Sequence, residues 1–148
     1  MPFPETIEEQ FSYYPPDDVT RRKYHRINTA AKHAVERASD VSMQAEMAEN
    51  EGWTGGPGGP FTAVSFEMNN KVCLDLAKAI EEEVPNSANR TAALRCVSLA
   101  RNALNDICAC GGWPIEDLRT FASHNIWAAA RQANTEITFE RQRQIRGS

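Results

Sequence analysis

Residues Leu76-Ala77-Lys78-Ala79-Ile80-Glu81-Glu82-Glu83-Val84-Pro85-Asn86-Ser87-Ala88-Asn89-Arg90-Thr91-Ala92-Ala93-Leu94 set the architecture of this chain. Upstream of Pro85, the apolar residues Val72, Leu76, Ala79 and Ile80 recur at steps of three and four, which predicts a helix from about Asn69 to Val84. Pro85 lacks an amide N–H and crowds the preceding turn, so the helix stops there. Asn86 or Ser87 then caps a second helix, Ala88 to Ala109. Its stripe is Leu94, Val97, Ala100, Leu104 and Ile107; its polar side is Arg95, Ser98, Asn102 and Asn105. Two helices joined by so short a link are expected to pack as an antiparallel hairpin, the centre of a mostly α protein.

Working upstream, Asp17, Asp18 and Thr20 offer caps for a helix that starts near Val19 and carries Tyr24, Ile27, Ala31, Val35 and Ala38 on one face. Its pattern continues more weakly to about Asn50. Gly52 to Pro60 then forms a loop, which is no phosphate-binding loop because no Gly-Lys-Ser/Thr follows and its prolines remove donors. The stretch Phe61-Thr62-Ala63-Val64-Ser65-Phe66 reads as a short extended segment. Downstream, Gly111-Gly112 closes the second hairpin helix and Pro114 suits the first turn of a last one. That helix puts Ile115, Leu118, Ala122, Ala129, Ala133 and Ile137 on one face, and Arg141, Arg143 and Arg146 make a basic tail expected to fray.

The chain has 148 residues with a net charge of −4, and a mean hydropathy of −0.53. One soluble domain of 1–148 is expected, large enough to bury a core without disulfides or metal. No apolar run reaches the length of a membrane span, and Met1 to Phe11 lacks the basic and apolar regions of a signal peptide. The cysteines are then expected to be reduced, in the cytoplasm. The negative charge argues against a surface that is basic all over, while leaving room for a local basic pocket.

The residues offer no nucleophile–base set and no paired-carboxylate signature, so no catalytic residue, metal or cofactor is assigned. Cys108 and Cys110 with His124 fall short of the four ligands of a zinc site. His25 and His33 stand apart from carboxylates at ligand spacing, and Glu81 to Glu83 read as a solvated helix end or as partners of Arg90. Two segments carry more. Phe11, Tyr13 and Tyr14 beside Pro15 and Pro16 precede a basic run, Arg21, Arg22, Lys23, His25 and Arg26, and aromatic faces with nearby cations suit nucleobases and phosphates. The same aromatics would equally plug a core. Cations in a helix's first turns oppose its dipole by about 0.3–1 kcal/mol each, unless an anion or an acidic neighbour meets them. The start of the Ala88 helix, with Arg90, could likewise grip an anion or simply turn the chain.

Taken together and in order, these segments resemble the phage anti-CBASS cyclic-nucleotide sponges and the related Thoeris anti-defence sponges, which share a helical hairpin. The resemblance rests on Phe11-Ser12-Tyr13-Tyr14-Pro15-Pro16, Tyr24-His25-Arg26-Ile27, Ala31-Lys32, Leu76-Ala77-Lys78-Ala79-Ile80, and Pro85 to Leu94 with Ser87, Arg90 and Ala93, followed by Ala100 and Asn105. It covers about half of the chain. It leaves an insertion at about 33–75 and a C-terminal extension at about 111–148, and Phe66 and Asn70 fit the helix-start positions as Tyr24 and Asn28 do.

The resemblance implies a non-enzymatic, homo-oligomeric protein of the infected bacterium's cytoplasm. It would bind and sequester cyclic dinucleotides or trinucleotides in pockets between subunits, and so block CBASS signalling. Tyr13 is then expected to stack on a base, and Arg26, Asn28 and Thr29 to contact phosphates and ribose. Asn28 stands where the family usually has a basic residue. Arg90, Thr91 and Ala93 match a second, trinucleotide-binding position. Cyclic ADP-ribose isomers are the alternative ligand class, and a helical phage protein that binds nucleic acid or protein is the competing reading.

Overall fold

The computed structural model describes residues 17–109 and 114–147. These form four α-helices and no strand: α1 (Asp18–Asn50), α2 (Ala63–Glu83), α3 (Ala88–Ala109) and α4 (Ile115–Gly147). The protein is mostly α, as expected. Tyr13 with its aromatic–proline segment, Cys110, and Gly111-Gly112 lie outside the described residues.

Asp17 starts α1. It is extended, and its Oδ1 accepts the Thr20 N–H at 2.9 Å, satisfying one of the donors that every helix start leaves open. Tyr24, Ile27, Ala31, Ala34, Ala38, Val41 and Ala45 are all buried, so the core face runs the whole helix and not only to Ala38. Gly52, at φ 99°, ends it: its N–H donates to the Glu49 carbonyl, in the left-handed geometry that glycine adopts without strain.

The loop that follows is folded around Trp53. The indole Nε1–H donates to the Gly56 carbonyl at 3.2 Å, and the ring meets Phe61 edge to face with centroids 5.8 Å apart. Gly59 lies so close that an added Cβ would overlap the Trp53 ring. The Gly56 N–H reaches across to the Ala109 carbonyl at 3.2 Å, one of those left open at the end of α3.

The segment read as extended is instead the start of α2. The helix begins at Ala63, and Ser65 Oγ accepts the Thr62 N–H at 3.2 Å. A serine three residues into the helix performs the return bond that glutamate or glutamine usually makes, and this local bond outweighs the β tendency of Val64 and Phe66. α3 is capped by Ser87, whose Oγ accepts the Arg90 N–H at 3.1 Å, and it spans the residues expected.

α4 continues for three turns beyond Ile137 and does not fray there. Nothing in Thr138–Arg146 breaks a helix, and its last turns are tied to the start of α1 by Arg141–Asp17 at 3.4 Å and Lys23–Glu140 at 3.8 Å. α4 makes its broadest contact with α3 and the next with α1, so the C-terminal helix is central to the core. Along that seam Tyr24 meets Thr138 through their hydroxyls, and the Asn134 amide donates to Asn28 Oδ1 at 3.0 Å.

The interior alternates Ile, Leu and Tyr side chains with alanines such as Ala31, Ala34, Ala100, Ala129 and Ala133. Small residues at these positions allow close helix approach, toward the lower end of the roughly 8–10 Å range. One buried polar chain crosses three helices. Arg37 donates to Asn69 Oδ1 (2.8 Å) and to the Ser65 carbonyl (3.1 Å), while the Asn69 amide donates to Asn105 Oδ1 (3.0 Å) and lies 3.4 Å from Cys108 Sγ.

Candidate functional site

The basic start of α1 faces α2 across a groove of about 470 Å³. Arg22, His25, Arg26, Thr29 and His33 come from α1, at the three-and-four spacing that puts them on one face. Asp75 and Lys78 come from α2, with Ala30 and Ala79 forming the apolar floor. Among the expected ligand-binding residues, the structure therefore brings Arg26 and Thr29 together.

Asn28 goes elsewhere. It is 1% exposed and turned to Asn134 in the α1–α4 seam, because one residue of helix rotates the chain by about 100°. It is thus out of reach of a ligand in the groove. Arg90 is half-buried, and Thr91 is exposed with its hydroxyl donating to the Ser87 carbonyl at 3.1 Å. Ala93 is fully buried, so the helix surface there is covered by this chain itself and not open to a ligand. One turn earlier, Asn89 approaches Glu136 of α4 at 3.4 Å.

The cations crowded into α1 mostly meet carboxylates. Arg26 bridges to Glu82 at 2.7 Å and to Glu83 at 3.1 Å, so the acidic end of α2 is answered by Arg26 and not by Arg90. The bond to Glu82, with a smaller share from Glu83, raises the pKa of the Arg26 guanidinium. Arg21 pairs with Asp18 at 3.8 Å and Lys23 with Glu140. Asp75 is taken by Lys71 at 3.1 Å. Among the described residues, Arg22 and Lys78 have no carboxylate at ion-pair distance.

Arg22 and His25 belong to the basic run noted in the sequence without being assigned a ligand contact, and His33 and Lys78 were not expected there. The α1 members were visible as a periodic basic face, but Lys78 joins them only because α2 lies alongside α1. The groove can hold an anion between Arg22 and Lys78, with the Thr29 hydroxyl as a hydrogen-bonding group. Among the described residues, no three His, Cys, Asp or Glu side chains gather as metal ligands. Cys108 is buried, which raises its thiol pKa, and His124 is exposed on α4.

Among the described residues, no helix is long and apolar enough to cross a membrane. No protein-family model matches this chain, and no curated protein or solved structure matches it either.

Proposed function

We propose that this protein binds and sequesters cyclic-nucleotide immune messengers without cleaving them, taking cyclic dinucleotides at the α1–α2 groove and thereby blocking CBASS signalling in the bacterial cytoplasm. The observation that carries the reading is the pair Arg22 and Lys78, cations that have no carboxylate partner among the described residues and that face one groove of about 470 Å³. A cyclic dinucleotide brings two phosphodiesters, one anion for each. Its bases need aromatic faces, and the resemblance supplies Tyr13 for that role. Sequestration and a homo-oligomer with pockets shared between subunits come from the same resemblance. The trinucleotide position is the weaker branch, since Ala93 is buried within the chain.

The test is a thermal-shift screen with cyclic GMP–AMP, cyclic di-AMP, cyclic triadenylate and cyclic ADP-ribose, followed by denaturation and recovery of the ligand. A ligand at 100 times its Kd stabilises the native state by about 2.7 kcal/mol, which a screen of this kind resolves. The expected result is a shift with cyclic dinucleotides and their recovery intact. Lys78→Glu and Arg22→Glu should each weaken binding at least about tenfold, the loss of one charge-assisted bond, and Arg90→Glu should leave it unchanged. Silence across the panel, a cleaved product, or wild-type affinity in both groove variants would overturn the reading. A shift with cyclic ADP-ribose alone would move the protein to the Thoeris class of messenger.

A further inference from the structure

α4 carries a second cluster, away from the groove. Thr120, Ser123, His124, Trp127 and Arg131 follow one another at helical spacing and, with Arg119, line a cavity of about 310 Å³. The inward face of α4 is already supplied by Ile126, Ala129, Ala133 and Ile137, so these residues are not needed to close the core.

Three features set the cluster apart from an ordinary solvated face. Trp127 is half-buried and packed against the core, which holds its ring in place while leaving part of it open. Its indole N–H has no acceptor among the described residues. Arg131, one turn on, is half-buried, and its guanidinium has neither an ion pair nor a hydrogen bond among the described residues. A partly desolvated charge without a counter-charge is unfavourable, and a bound anion relieves it. Arg119, by contrast, is engaged by Glu116. His124, exposed, lies one turn from Trp127 on the side away from Arg131, at the other end of the strip.

We propose that this strip is a binding site for a nucleobase joined to a phosphate, either a free nucleoside monophosphate or the same unit in a single strand. The base lies against Trp127 and the phosphate meets Arg131, one turn toward the C-terminus, while Ser123 and His124, one turn the other way, flank the far edge of the base. A fixed aromatic ring with a cation one turn, about 5.4 Å, along the helix matches a ligand whose flat apolar part and anion are joined by a ribose. Base stacking on an aromatic ring contributes about 1–3 kcal/mol. The assignment does not depend on the α1–α2 groove.

The experiment follows the Trp127 indole N–H in ¹H–¹⁵N spectra of the whole protein, with Trp127→Phe identifying the signal. AMP, adenosine, inorganic phosphate and a short single-stranded oligoadenylate are titrated separately. AMP is expected to shift the signal saturably, with adenosine and phosphate alone each binding at least about tenfold more weakly, because each lacks half of the recognition. Arg131→Gln should weaken AMP binding by a similar factor with an unchanged melting temperature, and Lys78→Gln should leave it untouched. Much tighter, salt-steep binding of the oligoadenylate supports the site with a strand as its source; equal affinities support it with the free nucleotide. An indole signal unmoved by both AMP and the oligomer, or an Arg131→Gln variant with wild-type affinity, overturns the proposal.

Discussion

Asp17 ties the start of α1 through the Thr20 N–H, and it does so as a carboxylate. The bonds to Thr20, above all, lower its pKa below the ordinary 3.8. A depressed folded-state pKa stabilises the protein above the unfolded value, and that stabilisation is lost as pH falls through the folded value. Asp17→Ala should therefore lower the urea midpoint at neutral pH, with the gap to wild type closing below about pH 3.8; a gap independent of pH would assign the effect to something other than the charge. Cys73 gives a second residue-scale expectation. Burial pushes its thiol up to about 11, and only the thiolate is nucleophilic. Iodoacetamide at pH 8 should modify half-buried Cys96 well before Cys73, as mapped by peptide mass; equal rates would mean that α2 opens readily. At this scale the sequence was only partly readable. Arg26, Asn28 and Thr29 were assigned to one ligand, but Asn28 turns inward to Asn134, as its position next to Ile27 on the helix already implied. Glu82 and Glu83 show the opposite limit, since their partner Arg26 lies on another helix and no local spacing names it.

The helices themselves were more legible than their ends. α3 could be bounded because Pro85, Ser87 and the pair Gly111-Gly112 each mark a local event in the sequence: a stop, a cap and a close. The start of α2 was misread because Thr62 and Ser65 form a return bond from an unusual residue type, and α4 was cut short because its last turns hold through ion pairs to α1. The best test of how the elements are joined is Arg37. It is 8% exposed, and its bonds go to Asn69 and the Ser65 carbonyl, linking the middle of α1 to the first turns of α2. Arg37→Met leaves the Asn69 oxygen buried without its donor, at a cost of about 1–3 kcal/mol. Urea denaturation measures this, and a variant as stable as wild type would show that α2 repacks. The Trp53 loop gives a smaller case. Gly59→Ala must displace a ring fixed by Gly56 and Phe61, and overpacking of this kind costs about 1–3 kcal/mol. The change should be visible in the indole N–H signal of Trp53 as well as in the melting temperature.

For the molecule as a whole, the informative helix is α4. Sequence resemblance treats residues after Gly111 as an addition to a hairpin, yet α4 makes the broadest contact in the core. A chain ending at residue 112 would uncover the parts of α1 and α3 that pack on α4, with Tyr24 and Asn28 among them. It should lose cooperative thermal unfolding by circular dichroism; a sharp transition would mean that the first three helices close on themselves. The reason this role was not legible is that a helix's apolar stripe says that it has a partner and not which one. The groove was readable to a similar extent, with one wall written in the α1 periodicity and the other fixed only by packing.

The seam between α1 and α4 also governs how this chain leaves the ribosome. Tyr24 and Thr138 are 114 residues apart, and Asn28 and Asn134 are 106 apart. At about 5–20 residues per second, the inner face of the first helix waits on the order of ten seconds for the strip that covers it. Until then Tyr24 and Asn28 are open to chaperones or to another nascent chain, so yield in the cell depends on translation speed and on what shelters that face in the interval.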